Sequence, residues 1–324
     1  MKRRHFITLL GGAAVAWPVA ARAQQPMPVI GYLSIGSPGT DAARLTGLRQ
    51  GLNETGYVEG RDFVIDYRWA ANQLDRLPTL AAHLVQGRVA MIVTPGLPST
   101  LAARSATTTI PILFGVGADP VQVGLVASLN RPGGNLTGFN QINSELGAKG
   151  LALLHELVPT PTIGFLLNPT NPIDKLIERD VLAAARVIGL QIQTLKAGTL
   201  REIDTAFESL TQARTKTLLV SNDVFLNGQL EQISALATRY AIPAMHSSRE
   251  FVLAGGLLSY GTSLTDTYRQ VGLYAGRILK GAKPGDLPVI QSAKFGLVIN
   301  LKAAKSLGLT IPAGMLAIAD EVIE

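Results

Sequence analysis

The chain of 324 residues has no cysteine. Disulfides and thiolate-held metals are therefore excluded, and so is a lipid tether on an N-terminal cysteine. It is poor in histidine, with 4, and in tryptophan, with 2, and only 16% of its residues are charged. Beyond Lys2, Arg3 and Arg4 it has no run of basic residues and no basic stripe interleaved with aromatics, so the electrostatic footprint of a nucleic-acid binder is missing. After the N-terminus no stretch is long and apolar enough to span a bilayer.

Catalytic and cofactor fingerprints are lacking as well. Gly115-Val116-Gly117 opens like a dinucleotide loop, but Asp119-Pro120 stands where its third glycine should appear. There is no phosphate-cradling Gly-Lys-Ser/Thr and no Gly-x-Ser-x-Gly elbow. His155-Glu156 is followed by Leu157, Val158 and Pro159, so the second histidine of a zinc helix is absent. After the N-terminal segment only His83, His155 and His246 remain, far apart in sequence. No metal, no cofactor and no catalytic pair is expected.

What is present begins with an export signal. Lys2, Arg3 and Arg4 form a positive start, Phe6 to Ala20 is largely apolar, and Ala21-Arg22-Ala23 supplies the small residues of a cleavage site. Arg3-Arg4-His5-Phe6 reads as a twin-arginine signal or as an ordinary secretory one. Cutting after Ala23 takes 23 of the 324 residues and leaves 301. It also takes four bases and no acid, so the net charge of +6 falls to +2. The basic balance is thus largely a targeting feature. A periplasmic location is expected.

The rest is 47% hydrophobic with 33 glycines in the whole chain, a composition suited to buried strands joined by tight loops. Short apolar runs alternate with amphipathic stretches. Val29–Ser34, Phe63–Trp69, Val89–Val93, Ile110–Phe114 and Asn135–Phe139 read as strands. Asp41–Thr55, Leu74–Val85, Ser99–Ala106 and Val121–Leu129 read as helices. The rhythm restarts after Ser144, an N-cap for Glu145–Leu157. Strands Thr162–Leu167, Gln191–Leu195, Thr217–Val220, Pro243–His246 and Leu257–Tyr260 then alternate with helices Asp174–Ile188, Arg201–Ala213, Leu226–Tyr240 and Leu264–Leu279. The fold class is α/β, with two doubly wound parallel-sheet lobes. Ligands of such sheets bind beyond the carboxyl ends of the strands, here at Ser34–Gly39, Thr94–Ser99, Gly115–Pro120 and Asn168–Pro172.

Several segments then recur in order. They are Val29–Ser34, Gly56-Tyr57-Val58-Glu59-Gly60, Asp119-Pro120-Val121 through Gly124-Leu125-Val126, and Arg131 through Gly138. Asn168-Pro169, Gly255-Gly256-Leu257, Tyr268 through Gly272 and Ile299-Asn300-Leu301 follow. Together they resemble the ABC-transporter substrate-binding family whose better-known branch takes up tryptophan and related amino acids. The resemblance implies a periplasmic binding protein fold of type 1, with lobes that close about a hinge. It implies an N-terminal lobe of 26–140 plus 263–290 and a C-terminal lobe of 141–262 plus 291–324, with crossings near 139–144, 260–264 and 290–293. It also implies a small-molecule ligand, such as an amino acid, handed to an ABC permease and its ATPase.

By the same resemblance, ligand contacts fall on Ser34, Ile35, Thr94, Pro95, Gly96, Gly115, Val116 and Asp119 in the first lobe. In the second they fall on Asn168, Asn171, Asn222, Asp223, His246 and Tyr260. Asp223 stands either for an ammonium partner or for a helix cap. Asp119 reads as a cap too, and the two Asn-Pro pairs as turns. His246 is a cleft residue or a structural one. Ser34 through Gly39 carries neither the glutamine nor the histidine-proline of the tryptophan branch, so the ligand class does not carry over. A sensory receptor of the same fold, and a secreted enzyme on a flavodoxin-like scaffold, are the alternative readings.

Overall fold

A computed structural model describes residues 27–140, 143–291 and 295–324. The export signal, part of the first and third crossings and the side chain of Ser144 lie outside the described residues. The chain runs β1 (Val29–Ser34), α1 (Ala42–Glu54), β2 (Val64–Trp69), α2 (Leu77–Gln86), β3 (Met91–Pro95), α3 (Leu97–Ala106), β4 (Ile112–Val116) and β5 (Leu136–Asn140). It continues through α4 (Asn143–Leu157), β6 (Thr162–Leu167), α5 (Pro172–Val187), β7 (Gln191–Lys196), α6 (Leu200–Ala213), β8 (Leu218–Val220), α7 (Val224–Asn227) and α8 (Leu230–Arg239). Next are β9 (Ala244–His246), α9 (Arg249–Leu253), β10 (Leu258–Gly261), α10 (Leu264–Leu279) and β11 (Ile290–Gln291). The last elements are β12 (Gly296–Asn300), α11 (Leu301–Ser306), α12 (Ala313–Ala317) and β13 (Glu321–Ile323).

These strands form two sheets. The first has the order β11-β5-β4-β3-β1-β2 and the second β13-β12-β10-β9-β8-β6-β7. The first is parallel throughout. The second is parallel except where β12 runs antiparallel to β10. Central strands are covered on both faces, so their side chains are apolar without alternation: Ile30, Tyr32, Leu33, Ile92 and Val93 are all fully buried. The edge strand β2 is only partly buried.

Helices α1 and α10 cover one face of the first sheet and meet backbone to backbone. A Cβ on Gly51 would lie 2.0 Å from the Arg269 carbonyl oxygen, and one on Gly272 would lie 2.3 Å from that of Leu48. No side chain larger than hydrogen fits there, which is how α10 returns from β10 of the second sheet to the first.

Three readings need correction. Val121–Leu129 is a series of turns rather than a helix: the Leu125 N–H bonds back to the Pro120 carbonyl at 2.8 Å, and Gly124 then takes φ +67° and turns the chain away. The single helix predicted over Leu226–Tyr240 is two helices, α7 and α8. They part at Gly228, where a Cβ would lie 2.2 Å from Thr40 Cγ2 of the first lobe. Thr94, Pro95, Gly115 and Val116, expected in loops, are the last residues of β3 and β4. The elements after α10 go unpredicted from sequence, although β12 carries the buried apolar run Leu297-Val298-Ile299.

Candidate functional site

The carboxyl ends of β1, β3 and β4 gather the first lobe's contributions. Ser34 Oγ accepts from the Gly36 N–H at 3.0 Å, which tightens the turn after β1. The Ile35 N–H donates to Ser99 Oγ at 3.1 Å and ties that turn to α3. Thr94 and Thr100 share a hydroxyl bond of 2.9 Å beneath it. Gly96 has φ +80° and caps α3; its N–H reaches the Gly115 carbonyl at 2.7 Å. Val116 is buried and turned into the core. Asp119 stands apart on the surface, where its Oδ1 accepts from the Val121 and Gln122 N–H groups at 2.8 and 3.3 Å. It stabilises a turn.

Opposite lies the second lobe's cluster. Asp223 caps α7 through the Phe225 and Leu226 N–H groups at 2.8 and 3.1 Å. The same carboxylate accepts from Asn168 Nδ2 at 3.0 Å and Asn171 Nδ2 at 2.7 Å. Asn168 also donates its backbone N–H to Asp174 at 2.7 Å, so one residue bridges two buried carboxyls. Burial, with the Asp223 charge behind it, pushes the Asp174 carboxyl up to about 8. His246 is fully buried, and its Nδ1 accepts from the Ser248 N–H at 2.9 Å. Burial drives its pKa down to about 4 against the pull of the Ser221 carbonyl, with the Arg44 cation adding to the fall. It is neutral at physiological pH and is no acid–base switch there. Tyr260 is half-buried and stacks on Phe295 at 6.0 Å.

The lobes are in contact. Val224 packs against Gly96, where a Cβ would lie 3.2 Å from Val224 Cγ2. Asn72 Nδ2 donates to the Gly198 carbonyl at 3.1 Å across the rim. Between the lobes lies a cavity of about 40 Å³ bordered by Arg44, Gly96, Gly115 and Tyr268 on one side and Asn171, Asn222 and Asn227 on the other. Four of the residues picked from sequence therefore face it directly: Gly96, Gly115, Asn171 and Asn222. Asn222, His246 and Tyr260 line a neighbouring hollow of about 30 Å³ in the second lobe. A larger cavity of about 750 Å³ opens on the hinge side, near Ser263 and Gln291, and none of the sequence-picked residues lines it.

Sequence reasoning missed Arg44, Tyr268 and Asn227. Arg44 is 4% exposed, and its Nη1 donates to Asp41 Oδ1 at 2.8 Å and to the Thr40 carbonyl at 3.1 Å. Its guanidinium lies 5.9 Å from the Tyr268 ring centre. A guanidinium only donates, so the Asn227 amide 3.0 Å from Nη2 turns its oxygen to it. The available signal was a charged residue on the apolar face of α1, beside Leu45 and Leu48, with an aspartate three positions earlier.

Among the described residues no group of three or more His, Asp or Glu is placed to hold a metal, and no helix is long and apolar enough to cross a membrane. A family model described as ABC transporter substrate binding protein matches residues 32–323. A tyrosine-binding protein of Clostridioides difficile is 29% identical over 272 residues, covering 83% of this chain and 77% of that one. A structure from Streptococcus pneumonia in complex with L-Trp has a TM-score of 0.82 at 28% identity, covering 91% of this chain and 99% of that one. A ligand-free, open substrate-binding protein with adhesive properties from Clostridium difficile has a TM-score of 0.64 at 27% identity, with the same coverage.

Proposed function

The chain belongs to the ABC transporter substrate-binding protein family, and we propose that it is the periplasmic receptor of an importer, closing its two type 1 lobes around an amino acid or similar small organic solute. The observation that carries this is the cavity itself: polar groups of both lobes border it, so a guest held there bridges them. The lobes here already touch. The chain also superposes far better on the L-Trp complex than on the ligand-free, open relative of nearly equal identity. A cavity of about 40 Å³ has room for little more than one water, so a solute enters by hinge opening and is enclosed by closure.

In this reading the lobes are 26–140 with 263–290 and 141–262 with 291–324. Residues 1–23 direct export and are removed. The closed form docks on a permease whose ATPase supplies the energy, and the solute leaves chemically unchanged. The sequence-picked residues facing the cavity hold the solute, while Asp119 and Val116 take no part. Titration calorimetry of the chain lacking residues 1–23 against the twenty amino acids, with X-ray scattering at saturation, tests the reading. Binding is expected together with a more compact particle. Scattering curves that do not change with a bound solute would refute hinge closure.

A further inference from the structure

Arg44 is buried where the two lobes meet, with an aspartate and a tyrosine of its own lobe on one side and an amide of the other lobe on the other. A buried cation needs its donors met. Nη1 is met locally, by Asp41 Oδ1 and the Thr40 carbonyl. Nη2 faces the cavity, and the group it meets there is the neutral amide of Asn227, at 3.0 Å, on the four-residue helix α7 of the opposite lobe. Among the described residues that border the cavity, Arg44 is also the one that carries a charge. The nearby His246 is neutral, and burial pushes the Tyr268 hydroxyl above its ordinary range despite the Arg44 charge, so it stays protonated. The chain thus presents one fixed fork of positive charge to the space between its lobes.

We propose that Arg44 is the specificity-determining residue for a ligand carboxylate, which takes the place of the Asn227 amide on the cavity edge of the guanidinium. This rests on the reading that the cavity holds the transported solute. An amide is a weak partner for a buried guanidinium, and a carboxylate is a strong one with matching geometry. The exchange also has a charge consequence. Arg44 is already neutralised by Asp41, and Asp223 adds a carboxylate on the opposite lobe, so an incoming carboxylate alone brings one further negative charge that nothing among the described residues of the cavity balances. An ammonium on the same ligand cancels that charge. It would lie toward Asn171 and Asn222, backed by the Asp223 carboxylate that Asn171 holds at 2.7 Å. The ligand class is therefore a zwitterionic α-amino acid, with its carboxylate on the first lobe and its ammonium toward the second. Each end is held by a different lobe, which couples recognition to closure.

The test is calorimetry on the chain lacking residues 1–23, with the twenty amino acids, the amines left by removing their carboxylates, and the matching acids without the amino group. The parent is expected to bind its best amino acid about 10- to 100-fold more tightly than either partial analogue. In Arg44→Met the amino acid should fall to the level of the amine while the amine is unchanged. Because that variant strands Asp41 in the interior, Asp41→Asn/Arg44→Met is measured beside it, with thermal melting to show that it folds. An amine bound as tightly as its amino acid, or an unaltered ratio in the folded double variant, would overturn this proposal and leave the transport reading standing. Failure of the whole panel to bind the parent would overturn both.

Discussion

Replacing Gly51 by alanine sets two effects of known sign against each other. In an exposed helix interior the change is favourable by up to about 1 kcal/mol, because alanine loses less backbone freedom on folding. At Gly51 the new methyl would lie 2.0 Å from the Arg269 carbonyl oxygen and 2.7 Å from the Leu273 nitrogen. Carbon and oxygen rest about 3.3–3.6 Å apart at closest. α10 must therefore retreat by more than about an ångström, and its backbone cannot swing aside as a side chain would. Overpacking of this kind costs about 1–3 kcal/mol. The net expectation is a loss of about 1–2 kcal/mol, which lowers the melting temperature by about 2–8 °C for lobes of this size. Gly314 is the internal control. It lies exposed in α12 with nothing within 4 Å of its would-be Cβ, so Gly314→Ala should hold or raise the melting temperature. Differential scanning calorimetry of both variants without ligand measures the contrast. Retreat of α10 also draws Tyr268 from Arg44, so Gly51→Ala should bind its amino acid more weakly. A Gly51→Ala protein at least as stable as its parent would refute the backbone contact on which the first lobe's geometry depends.

The alternation of apolar runs with amphipathic stretches made both sheets legible, since buried parallel strands leave an unbroken apolar signature. β13 left no such mark, because it is three residues long and only partly buried, whereas β12 does carry one in Leu297-Val298-Ile299. Val121–Leu129 misled because it has helical composition, whereas Gly124 decides the backbone there through its positive φ. Gly228 misled for another reason. The close approach of Thr40, almost two hundred positions away, requires a glycine at the end of α7, and contacts of that range leave no local trace. The same limit explains the site. Gly96, Gly115 and Asn171 fall in stretches that the strand ends alone mark as facing a cleft, while Asn222 comes from the family resemblance. Arg44 and Tyr268 stand within helices, and only the pairing of α1 with α10 turns them toward the cavity. For Asp223 the competing readings converge. Its carboxylate caps α7 and holds the two asparagines at once, so its structural role fixes the polar face that the cleft presents.

Asp174 binds a proton near pH 8 in the fold and near 3.8 when unfolded, because burial and then Asp223 disfavour its charge. The native state thus holds more protons in that window, and this group's contribution to stability, complete below about pH 4, is lost as pH rises toward 8. Asp174→Asn mimics the protonated acid, so its melting temperature should gain on the parent's steadily from pH 5 to 8; parallel profiles would refute the assignment. The bond from Asn72 Nδ2 to Gly198 calls for a different signature, because it joins the lobes at the rim without touching the cavity. Asn72 has φ +62°, so Asn72→Gly removes the amide while leaving the backbone at ease. A single hydrogen bond of about 0.5–1.5 kcal/mol predicts affinity lower by about 2- to 12-fold, through faster release. That loss should be the same for every ligand, since the bond stabilises closure and reads no chemistry. An affinity change that differed between amino acids would place Asn72 in recognition, and unchanged affinity would show that the rim bond contributes nothing to holding the lobes together.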